Sequence, residues 1–155
     1  VLVPDRARNI AFCGMTERVN DEGVIAMHDA FGLDLMFQFD LAEGEYHTNV
    51  VFSCLAGKAC MIHVDSFADP AVPQAIAEFY KDRTIFLTDN EKIAFAGNGI
   101  TITENDLFLS RTAFDALSQD KKDQLESWGF TIHHAQVNEL EKAGGSLRCM
   151  VGEIF

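Results

Sequence analysis

Hydrophobic positions along this chain recur with two alternating periods. Leu33, Leu35, Phe37 and Phe39 are interleaved with Asp34, Met36 and Gln38, a period of two that predicts a strand. Val24, Met27, His28 and Phe31 share one face at helical spacing behind Asn20 and Asp21, either of which can cap a helix running to about Phe31. The same reading predicts strands over Asn9–Cys13, Val50–Leu55, Ala59–Val64, Thr84–Leu87, Ile100–Thr103, Asp106–Leu109, Phe130–His134 and Met150–Ile154. Ala56-Gly57-Lys58 and Glu104-Asn105 read as hairpin turns. Asp69-Pro70 starts a helix to about Tyr80, and Thr88 or Asp89 caps a short one. Further helices are predicted over Ser110–Leu117, Ser118–Trp128 and Val137–Lys142.

The order strand–strand–helix–strand therefore occurs twice, from Val50 to Leu87 and from Ile100 to His134. Units of one pattern stack to bury their faces, which makes the chain an α+β protein built of repeated modules.

The 155 residues fit one domain, and no Pro- or Gly-rich linker divides them. The net charge is −12, which argues against nucleic acid and anionic membranes as partners, because phosphate contacts need clustered Lys and Arg. No apolar run approaches the roughly 18 residues of a membrane span, and no basic–apolar–small leader pattern opens the chain. The four cysteines form no CxxC pair; Cys13, Cys54 and Cys60 sit in apolar strands and read as reduced core thiols, with a cytoplasmic location expected. Phe31, Phe37, Phe39, Phe52 and Phe86 are read as core.

Candidate chemistry sits in four segments. Gly144-Gly145-Ser146-Leu147-Arg148-Cys149 places a cysteine after a glycine turn and beside a cation, which suits a thiolate nucleophile; the plainer reading is a buried thiol opening the last strand. In Tyr46-His47-Thr48-Asn49, residues two apart on a strand face one side, so His47 could act as acid and base beside Asn49, an amide matched to a neutral ureido group. The alternative is a polar strand end. Arg18, between a strand and a helix, could hold a carboxylate in a bidentate fork, or simply pair with Glu17 or Asp21. Asn98, within Ala96-Gly97-Asn98-Gly99, suits a turn against a pocket, or only a turn with positive φ.

Together, Phe12-Cys13-Gly14-Met15-Thr16-Glu17-Arg18, His47-Thr48-Asn49, Ala96-Gly97-Asn98 and Gly145-Ser146-Leu147-Arg148-Cys149-Met150 resemble, in that order, the amidinotransferase-like enzymes that modify guanidino groups. This group includes arginine deiminase and dimethylarginine dimethylaminohydrolase. Tyr46-His47-Thr48-Asn49-Val50 and the ending after Arg148 are most similar to its citrulline-utilisation branch. The resemblance implies a pentein propeller of five ββαβ modules, of which about three are expected here, so that residues 1–155 form a single partial domain. The opening Val1-Leu2-Val3 looks like a strand cut at its start, and the chain is expected to be the C-terminal part of a longer polypeptide.

The resemblance further implies that Cys149 is the nucleophile and His47 the acid and base. Asn49, where arginine deiminases carry an aspartate, favours a citrulline-like substrate. Arg18 is expected to hold the α-carboxylate, and Asn98 and Arg148 to line the substrate site, with Arg148 holding the thiolate or anchoring its loop. No metal or other cofactor is expected. The implied partner is a small ureido or guanidino amino acid, with the missing modules or a second copy completing the propeller. A site lacking its other modules is expected to be inactive alone.

Other readings are a non-catalytic binding module of the same fold, a cysteine protease, and a metal site at His133-His134. The last is disfavoured because adjacent strand residues point to opposite faces. No glycine-rich nucleotide-binding pattern is present.

Overall fold

A computed structural model describes residues 1–153. The described residues contain three ββαβ modules, each carrying its own three-stranded sheet. The first comprises β1 (Leu2–Asp5), β2 (Ile10–Met15), α1 (Asp21–Phe31) and β3 (Leu35–Asp40). One-turn helix α2 (Thr48–Val51) leads into the second: β4 (Phe52–Leu55), β5 (Ala59–Ile62), α3 (Ala71–Tyr80) and β6 (Thr84–Phe86). Helix α4 (Asp89–Ile93) leads into the third, with β7 (Ile100–Thr101), β8 (Asp106–Ser110), α5 (Arg111–Ala116), α6 (Gln119–Ser127) and β9 (Thr131–Ala135). Helix α7 (Asn138–Glu141) and a 3-10 turn over Leu147–Met150 follow.

Every sheet has the same topology. The first two strands pair antiparallel, and the third pairs parallel to the second after a helical crossover. The pattern of two repeats read from the sequence thus extends to a third, residues 2–40, whose short first strand is not periodic enough to announce itself. Across the modules the leading strands are neighbours: β1 packs beside β4, and β4 beside β7.

The core is divided by the middle sheet. Cys60 and Ile62 of β5 join Phe12, Phe39, Phe52 and Tyr80 in one cluster, while Ala59 and Met61 join Leu87, Leu107 and Leu109 in another. This strand is buried on both faces, which explains its unbroken apolar sequence. Helix α3 turns Pro73, Ile76, Ala77 and Tyr80 inward at helical spacing. The Tyr80 hydroxyl donates to Asp5 Oδ2 at 2.9 Å, tying the second module to the first through a fully buried carboxylate that also holds Arg8 at 2.7 Å.

Several expectations are corrected. His47 and Asn49 lie not on a strand but at the start of α2, because Thr48 turns inward and its hydroxyl accepts the Gly14 N–H at 2.8 Å. A Cβ at Gly14 would fall 2.6 Å from that hydroxyl, so only glycine admits the approach. The strand expected over Met150–Ile154 is replaced by the 3-10 turn, with no strand over residues 151–153; Ile154 lies outside the described residues. Cys149 is exposed, not a buried strand residue. Phe39 and Phe52 are core and Phe37 packs against it, but Phe31 and Phe86 are 60% and 45% exposed. The positive φ near Asn98 belongs to Phe95, at 63°. Among the described residues no helix is long and apolar enough to cross a membrane.

Candidate active site

The predicted site residues come mostly from the segments that follow each module's third strand. His47 and Asn49 follow β3, Asn98 follows β6 and α4, and Cys149 follows β9 and α7. Equivalent points of successive modules are adjacent in such an arrangement, so residues 51 and 100 positions apart in sequence meet.

Asn98 holds the centre. It is 1% exposed, and its side chain spends every polar atom on the two neighbouring segments. Its Nδ2 donates to the Asn49 carbonyl at 2.5 Å and lies 3.3 Å from Cys149 Sγ, while its Oδ1 accepts the Arg148 N–H at 2.9 Å. Asn98 itself is set by the tight turn from Phe95, whose carbonyl accepts the Asn98 N–H at 2.9 Å. Sequence reading placed Asn98 at the pocket but gave no sign that it joins the other two segments.

Asn49 touches both His47 and Cys149. Its Oδ1 is 3.7 Å from Cys149 Sγ, and its side chain hydrogen-bonds His47. Burial, with the Arg18 guanidinium nearby, pushes the His47 imidazole below its usual value, and the Asn49 bond opposes that shift. The ring is therefore neutral near pH 7 and able to accept a proton.

Arg18 is exposed and lies over the Tyr46 ring at 5.5 Å, a cation–π contact that leaves its N–H fork on the surface of the site. The Tyr46 ring is 5.6 Å from that of His47, and its hydroxyl donates to the Gly144 carbonyl. Tyr46 thus links the histidine segment to the turn that carries Cys149, a role the sequence did not suggest. That turn is fixed from behind by Glu141, whose carboxylate accepts the Ser146 hydroxyl at 2.6 Å and the Thr112 hydroxyl at 2.7 Å.

Arg148 is turned away from the space beside the thiol. It pairs with Glu153 at 3.2 Å and donates to the Val151 carbonyl at 3.1 Å. Burial lowers its pKa, and the neighbouring Cys149 opposes that shift. Its contacts are those of a loop anchor.

No cation cage is evident at His133 and His134. His133 stacks on Phe108 and bonds Asp106 at 2.8 Å, while His134 packs against Phe114. His63, Asp65 and Asp89 bring ligand-type atoms within 4.8 Å of one another, but both nitrogens of His63 are already engaged, by Ser66 and Asp89.

The sequence model of one family, described as N,N dimethylarginine dimethylhydrolase, eukaryotic, matches residues 1–155. No curated protein matches the chain. Among solved structures, the N-terminal domain of ArgZ bound to substrate, an arginine dihydrolase from the ornithine-ammonia cycle in cyanobacteria, superposes with TM-score 0.80 at 18% identity, over 95% of this chain and 52% of that one. The complex of AgrE with ornithine and NAD+ gives TM-score 0.80 at 19% identity, over 96% and 21%. SxtG, an amidinotransferase from Microseira wollei in the saxitoxin biosynthetic pathway, gives 0.69 at 12%, over 91% and 43%. The expected pentein-type fold of ββαβ modules is borne out, and the chain spans about half the length of the ArgZ domain.

Proposed function

This chain belongs to the eukaryotic N,N dimethylarginine dimethylhydrolase family, and we propose that it carries the nucleophile and acid–base group of a cysteine-dependent hydrolase of guanidino or ureido amino acids. The observation behind this reading is the Asn49 side chain, which contacts both His47 and Cys149. Those two residues, 102 positions apart by their numbers (149 less 47), are the pair the chemistry needs. A structure of the ArgZ domain covalently bound to a reaction intermediate, at 19% identity, is consistent with covalent chemistry on this fold.

In the proposed reaction neutral His47 first takes the proton of the Cys149 thiol, and the thiolate so formed attacks the central carbon of the guanidino or ureido group, forming a C–S bond. The tetrahedral adduct collapses with cleavage of a C–N bond, and the amine or ammonia leaves with a proton from His47. The now neutral His47 takes a proton from water, the hydroxide adds to the same carbon, and the C–S bond breaks to regenerate the thiolate. Neutral His47, held by its surroundings below its usual pKa, is suited to both proton steps. Arg18, exposed at the rim, is assigned the substrate carboxylate, and Asn98 holds the thiol in place. Asn49, which lacks the charge to grip a guanidinium, supports the citrulline-like end of the substrate class. Completion of the pocket by modules beyond these three is part of the proposal, supported by the chain's coverage of half the ArgZ domain.

The test is the pH dependence of Cys149 alkylation, followed by mass spectrometry in the wild type and in His47→Ala. Selective labelling whose pH profile changes in the variant supports the reading. Slow labelling indifferent to His47 would leave a non-catalytic binding module in its place. Protection of Cys149 by citrulline or by arginine would then separate the two substrate classes.

A further inference from the structure

His63 directly follows β5. Its backbone N–H donates to the Val51 carbonyl at 2.9 Å, and only 7% of its side chain is exposed. Its Nδ1 lies 2.8 Å from Ser66 Oγ, and the Ser66 hydroxyl donates to Glu45 Oε1 at 2.7 Å. Glu45 is in turn paired with Lys92 at 2.5 Å. On the other side of the ring, Nε2 lies 3.0 Å from Oδ1 of Asp89, the first residue of α4. Asp65, in the 3-10 turn Val64–Ser66, comes to the same point. One ligand atom each from His63, Asp65 and Asp89 lie within 4.8 Å of one another.

The hydrogen-bond row determines which nitrogen can take a cation. Ser66 has a single hydroxyl proton and gives it to the Glu45 carboxylate, which only accepts. The bond between Ser66 Oγ and His63 is therefore donated by Nδ1–H. A neutral imidazole protonated at Nδ1 presents a lone pair at Nε2. That lone pair meets the Asp89 carboxylate, with the Asp65 carboxylate beside it, so the Asp89 contact joins two ligands and does not compete for a metal. Three electron-pair donors converging on one point call for positive charge between them. Among the described residues neither carboxylate pairs with a lysine or arginine.

A histidine that ligates a metal through one nitrogen is commonly oriented by a hydrogen bond from the other, the part Ser66 and Glu45 play here. Zinc bonds of about 2.0–2.2 Å set tetrahedral ligand atoms about 3.4 Å apart. The spacing of His63 and Asp89 is already close to this, and Asp65 and Asp89 are exposed and free to rotate to close the rest. We propose that His63 Nε2, Asp65 and Asp89 bind a divalent transition cation of the zinc class, with water in the remaining position. An imidazole among the ligands favours such a cation over calcium or magnesium, which take oxygen alone. The bound ion ties the turn after β5 to the start of α4, the helix that leads to Asn98. None of the three ligands takes part in the reaction proposed above, so the two ideas fail independently.

The test is a titration of the full 155-residue chain with zinc chloride, followed by calorimetry and by the imidazole nitrogen resonances of its five histidines. Cys149→Ser is the starting protein, so that the exposed thiol does not compete for zinc. One equivalent should bind and displace the His63 Nε2 resonance. Asp65→Ala and Asp89→Ala should each weaken binding at least about tenfold, and Ser66→Ala by a similar factor. Zinc should also raise the thermal midpoint of the starting protein in proportion to its occupancy, and raise it less in the aspartate variants. Absence of binding would overturn the proposal. So would an affinity unchanged in either aspartate variant, or displacement of His28, His47, His133 or His134 in place of His63. Both aspartates are exposed, so their variants decide the matter even if Ser66→Ala fails to fold.

Discussion

Asn98 Nδ2 lies 3.3 Å from Cys149 Sγ, in a side chain that also accepts the Arg148 N–H and donates to the Asn49 carbonyl. One buried amide therefore fixes the distance between the proposed nucleophile and the segment that carries its base. Asn98→Ala would orphan both backbone partners, at about 1–3 kcal/mol for each group left buried without a bond. A destabilisation of about 2–4 kcal/mol by chemical denaturation is expected, together with loss of any dependence of Cys149 alkylation on His47. A variant as stable as the wild type would show that this amide does not join the segments.

Gly97, its neighbour, packs against the backbone before β4. A Cβ there would fall 2.4 Å from the Val50 carbonyl oxygen and 3.0 Å from the Val51 carbonyl carbon, atoms that cannot yield by a side-chain rotation. Gly97→Ala should cost about 1–3 kcal/mol and displace Asn98. Thermal denaturation measures the first effect, and increased amide exchange at Arg148 the second.

The Tyr46 hydroxyl bond to the Gly144 carbonyl joins the histidine segment to the cysteine turn at the protein surface. Tyr46→Phe keeps the ring beside Arg18 and His47 and removes only that bond. Global stability should fall by no more than about 0.5–1.5 kcal/mol. Amide exchange over residues 144–150 should nevertheless quicken. Unchanged exchange there would mean that Glu141, through Ser146, holds the turn without help.

The thiols give a pH prediction. Burial, with Asp5 beside it, pushes the Cys54 thiol up to about 11, and burial pushes Cys60 up to about 12. In the unfolded chain both ionise near pH 8.5–9. Their contribution to stability is thus fully present below that pH and is lost as pH rises through the folded values. About 1 kcal/mol per thiol should be gone one pH unit above the unfolded value. Tyr80, raised by burial and by its bonds to Cys54 and Asp5, acts in the same direction at higher pH. Urea midpoints between pH 8 and 11 should fall in the wild type and fall less in Cys60→Ser. At pH 8 a mild alkylating agent should mark the exposed Cys149 and leave Cys13, Cys54 and Cys60 for the denatured protein.

A single substitution probes specificity within the proposed class. Asn49→Asp would place a carboxylate against the substrate's reacting group, so arginine should gain in protecting Cys149 from alkylation relative to citrulline. Equal protection in both proteins would remove Asn49 from the specificity determinants.

Much of this protein is legible in its sequence. The alternation of Leu35, Phe37 and Phe39, the caps at Asn20 and Thr88, and the unbroken apolar run of β5 are local signals that side-chain period and backbone propensity determine by themselves. The residue types of the site were equally visible, because a cysteine after a glycine turn and a histidine beside an asparagine are chemically conspicuous wherever they fall. What the sequence could not state is distance. The helical start at Thr48 depends on a hydroxyl reaching Gly14 in another module, the turn at Cys149 depends on Asn98 fifty-one positions away, and the exposure of Phe31 and Phe86 depends on which faces the modules turn to one another. The approach of Asn49 to Cys149 is a product of module packing. Periodicity is a property of neighbours along the chain, whereas a site assembled from three inter-module segments exists only once the long-range burial of β5 has brought those segments together.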